Sequence, residues 1–173
     1  MRRFLVLLLV SLAGMAAVPP RADLLAEARR VMEAARFCAL LTSGDEGRIS
    51  ARTMDALPPD PDFVVWIATN PKTRKVGELR RNPKVTLYYF DEKTSSYICL
   101  QGRAKLVDDP AAKAAHWKEQ WKPFYKDRGA GLLLIRVQPE RIEVSSSTHG
   151  MAPDEATWAP VSVEFGPGKN QEK

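Results

Sequence analysis

The densest run of chemistry-bearing side chains lies between Thr69 and Arg81, where Lys72, Arg74 and Lys75 sit among two hydroxyl donors, Thr69 and Thr73. The run falls where a strand is expected to end and a helix to begin. Unpaired amides at a helix N-terminus attract an anion, and a lysine beside them adds a full charge. A phosphate is the natural guest of such a set; the plainer reading is a solvated basic turn. Other chemistry is sparse. Cys38 and Cys99 are the two cysteines, do not form Cys-x-x-Cys, and each sits among apolar neighbours, so both read as buried free thiols. With His116 and His149 as the two histidines, no metal-ligand spacing is legible. His149 stands in a serine-rich loop without a carboxylate near it in sequence and reads as an exposed loop residue. The sequence carries no Ser-His-Asp arrangement, glycine-rich phosphate loop, dinucleotide fingerprint or His-Glu-x-x-His helix.

The elements that must position these residues follow from periodicity. Leu24, Ala28, Val31 and Ala35 recur at helical spacing, which predicts an amphipathic helix over 23–36 with Asp23 as N-cap. Apolar stretches 37–43 and 48–54, joined by Gly44-Asp45-Glu46-Gly47, read as a hairpin. Residues 63–69 read as one continuous strand, a short helix runs through Arg81, and Asn82-Pro83 stops it. Strands are expected at 85–90 and 97–107, the second with Gly102 as a bulge or point of close approach. Asp109 and Pro110 open a helix as N-cap and first residue, with Trp117, Trp121 and Phe124 on one face of it. Two strands, 132–137 and 141–145, flank Pro139; a last one covers 161–165, and 166–173 reads as a disordered tail. Short links between six or seven strands predict a mainly β fold, an antiparallel sheet curled into a barrel with flanking helices.

Composition narrows the class. The chain has 173 residues, 45% hydrophobic and 27% charged, which fits one globular domain and excludes disorder or a many-span membrane protein. The net charge of +5 is partly contributed by Arg2, Arg3 and Arg21, so it gives little reason to expect a nucleic-acid partner. Met1-Arg2-Arg3, an apolar run from Phe4 to Val18 and small residues at Gly14, Ala16 and Ala17 have the layout of a signal peptide over 1–22, cleaved after Ala16 or after Ala22. The domain then spans 23–165, the expected location is periplasmic or secreted, and no membrane span remains after cleavage.

Three segments in order carry a resemblance: Arg48-Ile49-Ser50-Ala51-Arg52-Thr53-Met54, the run Thr73 to Val85, and Tyr97 to Val107 with its Gln101-Gly102-Arg103 centre. From about Ala28 to Ser145 the chain resembles the pyridoxamine 5'-phosphate oxidase-like split-barrel flavoproteins, and within them the general stress protein branch. The resemblance implies a six-stranded antiparallel split barrel, a homodimer, and FMN held between subunits. It further implies that Arg52, Thr53 and Met54 line the strand beside the flavin, Thr69, Thr73 and Lys75 take its phosphate, and Gln101 lies near the ring. The aromatic set Tyr88, Tyr89, Phe90, Trp117 and Trp121 is consistent with an interface. True oxidases of this family end in an Arg/His segment that grips a phosphorylated substrate; here Trp158-Ala159-Pro160-Val161 is followed by neither residue. The resulting expectation is an FMN-dependent oxidoreductase acting on a small molecule, with no acid or base assigned, and not a pyridoxamine phosphate oxidase. Two alternatives stand beside it: an exported, non-catalytic carrier of flavin, haem or another ligand, and a reductase using the deazaflavin F420.

Overall fold

The computed structural model describes residues 19–166. The predicted signal segment up to Val18, and the tail beyond Gly166, lie outside the described residues. Helix α1 (Arg21–Ala34) is followed by strands β1 (Cys38–Ser43), β2 (Ile49–Met54) and β3 (Val65–Thr69), then α2 (Arg74–Arg81), β4 (Lys84–Asp91), β5 (Ser96–Val107), α3 (Pro110–Ala115), β6 (Leu133–Ser145) and β7 (Val161–Glu164). Every pairing is antiparallel and the order is β2-β1-β4-β5-β6-β3, with β7 also on β6. The six-stranded sheet curls into a split barrel. Its two edges, β2 and β3, meet at one rung, where Ala56 bridges Ile67 and Leu57 N–H donates to the Trp66 carbonyl at 2.9 Å.

Register decides which side chains share a face, because successive residues of a strand point to opposite sides. One row crosses the sheet through Arg52, Leu40, Leu87, Leu100, Ile142 and Val163. All but Arg52 are buried core residues, packed with Leu24, Ala28 and Val31 of α1. The adjacent outer row holds Ala51, Leu41, Thr86, Gln101 and Arg141. Cys38 pairs with Tyr89 on the inner face and Cys99 with Tyr88 on the outer, so the two free thiols cannot meet.

The structure corrects several expectations. Helix α1 begins at Arg21 behind Pro20, whose carbonyl accepts from Leu24 N–H at 3.1 Å; Asp23 lies in the first turn. The strand expected from residue 63 starts at Val65, because Phe63 adopts φ 61° and Asp60 folds the chain back by accepting from the Asp62 and Val64 amides. The two strands expected around Pro139 are one 13-residue strand. β3 pairs with its first part and β7 with its last, and Pro139, which has no N–H to give, falls between them. Opposite it the β5 register shifts at Gln101/Gly102, where a Cβ on Gly102 would stand 2.1 Å from the Gln138 carbonyl oxygen. Helix α3 is capped by Asp109 as expected but ends at Ala115, so Trp117, Trp121 and Phe124 share no helix face: Trp121 is buried against Leu132 and Leu134, and Phe124 is exposed.

Candidate functional site

The site forms where β3 hands over to α2. Asn70 makes the turn: its side chain accepts from Lys72 N–H at 2.9 Å, and its carbonyl accepts from the Thr73 amide at 3.1 Å and hydroxyl at 2.9 Å. Thr73 is the N-cap of α2, yet its hydroxyl caps no helix amide; it stands 3.2 Å from Thr69 Oγ1 instead. Lys75 Nζ donates to Thr69 Oγ1 at 3.2 Å. The amides of the first turn are thus left without a side-chain acceptor, beside two hydroxyls and an ammonium.

The inward side of α2 buries Val76, Leu79 and, unexpectedly, Glu78, whose side chain is almost fully enclosed. Its carboxylate accepts from Thr42 Oγ1 at 2.5 Å and Arg52 Nη2 at 2.8 Å, and pairs with Arg74 Nε at 3.0 Å. Arg52 Nη1 also donates to Thr42. Burial pushes the Glu78 carboxyl up, but the hydrogen bonds from Thr42 and Arg52 and the charges of Arg52 and Arg74 outweigh it and hold the group below its ordinary value. Lys75 is also held below its ordinary value. Burial lowers its pKa and the Arg52 charge lowers it further, with Glu78 opposing. Lys75 therefore lies within the field of Arg52, and α2 straddles the split, touching β3 through Lys75 and β2 through Glu78.

Four of the expected residues, Thr69, Thr73, Lys75 and Arg52, are brought together. Met54 is buried in the core, and Thr53 is exposed on the outer face opposite Ala39. Gln101 is also on the outer face, lining a shallow hollow of about 500 Å³ with Leu41, Thr86 and Gly102, on the opposite side of the sheet from Arg52. Sequence reasoning missed Glu78 and Thr42. The signal for Glu78 was its i,i+4 spacing from Arg74; nothing local marks Thr42, which reaches the carboxylate through sheet register alone.

His149, expected to be a bare loop residue, sits 3.3 Å from Glu27 and 3.2 Å from Ser146 through the same Nδ1 atom. A single nitrogen facing both groups cannot relay a proton between them, so this is no nucleophilic triad. Its neighbours Arg30, Asp91, Thr94 and Ser96 complete a structural network. Among the described residues no group of His, Cys, Asp or Glu could hold a metal ion. The outer face exposes Ile49, Tyr88 and Phe90, with Tyr88 stacked on Tyr97 at 5.6 Å.

A protein-family model described as pyridoxamine 5'-phosphate oxidase like matches residues 23–155. Among solved structures, a Clostridium acetobutylicum protein related to general stress protein 26 superposes with a TM-score of 0.70 at 20% identity, covering 83% of this chain and 95% of its own. General stress protein 26 of Bacillus anthracis gives 0.65 at 18% identity, covering 81% and 97%. A Nostoc punctiforme protein described as pyridoxamine 5'-phosphate oxidase-related and FMN binding gives 0.56 at 16% identity, covering 88% and 100%. No curated protein matches the chain in sequence.

Proposed function

The chain belongs to the pyridoxamine 5'-phosphate oxidase-like family, and on that premise we propose that it is an FMN-binding redox protein, dimeric, and distinct from the pyridoxamine phosphate oxidases themselves. The observation that carries this reading is the excess of positive charge where β3 meets α2: Lys75 has a hydroxyl as its hydrogen-bond partner, and Arg52 and Arg74 share the one carboxylate of Glu78. The donor set suits a phosphate monoester. Lys75 and the Thr69 and Thr73 hydroxyls would hold its oxygens, with first-turn amides of α2 behind them. Bound FMN would supply hydride and single-electron chemistry, so the protein needs to bind, orient and shield rather than to furnish an acid or base.

The exposed Ile49, Tyr88 and Phe90 are an apolar outer face of the kind a second copy covers. Residues Met151 to Lys173 contain no Arg or His and so supply no strong partner for a second phosphate on a substrate. Export through the basic and apolar start remains part of the proposal; N-terminal sequencing of the mature protein should begin between Ala17 and Asp23, and a retained Met1 would remove it.

The central test is titration of FMN and riboflavin into wild type and Lys75→Ala, followed by light scattering of the loaded protein. Loss of a charge-assisted contact should weaken FMN about ten- to hundred-fold and leave riboflavin nearly unchanged. Equal losses for both ligands would contradict the phosphate assignment, and a monomer mass with FMN bound would contradict the dimer. Bleaching by NADH or NADPH then separates an enzyme from a carrier, and the bound-ligand spectrum separates FMN from F420 or haem.

A further inference from the structure

We infer that Glu78 is a built-in counter-ion of the anion site: it stands in for ligand charge on Arg52 and sets how strongly the site attracts a phosphate. The inference rests on the reading of Thr69, Thr73 and Lys75 as a phosphate site, but it concerns a residue outside that set.

Arg52 and Arg74 pair with one buried carboxylate, Glu78, and Lys75, on the same helix, is hydrogen-bonded to Thr69 instead. The cluster therefore carries an excess of two positive charges, equal and opposite to a phosphate monoester dianion. Without Glu78, Arg52 would sit at the edge of the apolar core row with no anion to face, which is costly for a cation that is mostly enclosed. The carboxylate solves this in the ligand-free protein. Its position shows that it serves Arg52 more than Arg74, because Arg74 is solvent-exposed and screened while Arg52 makes its bonds to Glu78 and Thr42 on the inner face. When a dianion arrives beside Lys75, Glu78 becomes a like charge a few side chains away. It then opposes binding, and Arg52 turns part of its hydrogen bonding from the carboxylate to the phosphate.

Glu78→Gln keeps the shape and removes the charge. Its affinity for inorganic phosphate and for FMN should rise about five-fold or more at low salt, with the gain shrinking as salt is added, and riboflavin affinity should not change. The ligand-free variant should melt at a lower temperature than wild type, and phosphate should restore more of that loss than it adds to wild type. Thr42→Val, which loosens the same cluster while keeping its net charge, should show no affinity gain. A measurement on wild type accompanies these: the Arg52 guanidinium 15N resonances, assigned by comparison with Arg52→Lys, should shift when phosphate is added.

Weaker phosphate and FMN binding by Glu78→Gln, or an unmoved Arg52 resonance at saturating phosphate, would overturn the inference. Tighter phosphate binding in a protein that takes up no FMN would support the counter-ion and sink the flavin reading. If wild type and variant bind neither phosphate nor FMN, both readings fall together.

Discussion

Two buried glutamates, at opposite ends of the inner face, hold arginines in different ways. Glu27, on α1, accepts two hydrogen bonds from Arg30 and one from Ser146, and Arg30 reaches on to Asp91, so one arginine is bracketed by two carboxylates. Glu78, on α2, is shared by two arginines, with Lys75 near by on the same helix and bonded to a hydroxyl. The first arrangement has no cation to spare and ties α1 to β4 and to the loop after β6. The second has charge left over and lies where the barrel is split. Similar chemistry thus makes a neutralised clamp in one place and a cluster with surplus positive charge in the other, and the ratio of cations to carboxylates decides which.

The largest expected effect separates the two by stability. Glu27→Ala takes from Arg30 one of its two carboxylates and from the buried Ser146 its acceptor, and should cost about 2 kcal/mol in urea unfolding, with FMN affinity of the folded fraction unchanged. Lys75→Ala, lacking an ion-pair partner to lose, should leave the urea midpoint almost where it is. A stability loss for Lys75→Ala as large as for Glu27→Ala would erase the distinction between clamp and surplus-charge cluster.

Acid provides a second, intermediate comparison. In Glu27, burial raises the carboxyl pKa, but hydrogen bonds from Arg30 and Ser146 with the charges of Arg30 and His149 bring it below the ordinary value; Glu78 is lowered likewise. A folded value below the unfolded one contributes stability above about pH 4.3, the unfolded glutamate range, and that contribution disappears as pH falls through the folded values. The double variant Glu27→Gln, Glu78→Gln should therefore lose less stability than wild type between about pH 5 and pH 3. Parallel acid limbs for the two proteins would show that neither carboxylate is held as described.

The smallest effect tests how dry the inner face is between the two glutamates. Burial pushes the Cys38 thiol up to about 11, with Tyr89 pulling weakly the other way. At about pH 8 the thiolate is then a minute fraction, and iodoacetamide should leave Cys38 unmodified in the native protein while labelling it in urea. Labelling of Cys38 in the native protein within minutes would mean that this part of the barrel opens readily.

Periodicity made much of the fold legible. The spacing of Leu24, Ala28 and Val31 marked α1, Asp109-Pro110 marked the start of α3, and Gly102 marked the bulge. What it missed depends on partners distant in sequence. Pro139 reads as a strand break, and only the handover from β3 to β7 lets one strand run through it. Trp117 and Trp121 read as one helical face because nothing local says that α3 stops at Ala115. At the site, the hydroxyls and the lysine were visible as a cluster because they lie within seven residues of one another. Arg52 was visible through family resemblance, but its pairing was not: Thr42, Arg52 and Glu78 meet through the β1–β2 register and the placement of α2, neither of which has a local signature.

The single backbone rung between β2 and β3 has a kinetic consequence. Along the rest of that seam the neighbouring segments are joined by side chains of α2, Glu78 to Arg52 and Lys75 to Thr69, rather than by a ladder. Opening there breaks few bonds, so solvent deuterium should enter the Leu57 amide well before it reaches the β4–β5 centre. Anything that binds across Lys75 and Arg52 ties the two lips together, and the rate of deuterium uptake along the seam becomes a gauge of occupancy that needs no chromophore and no turnover.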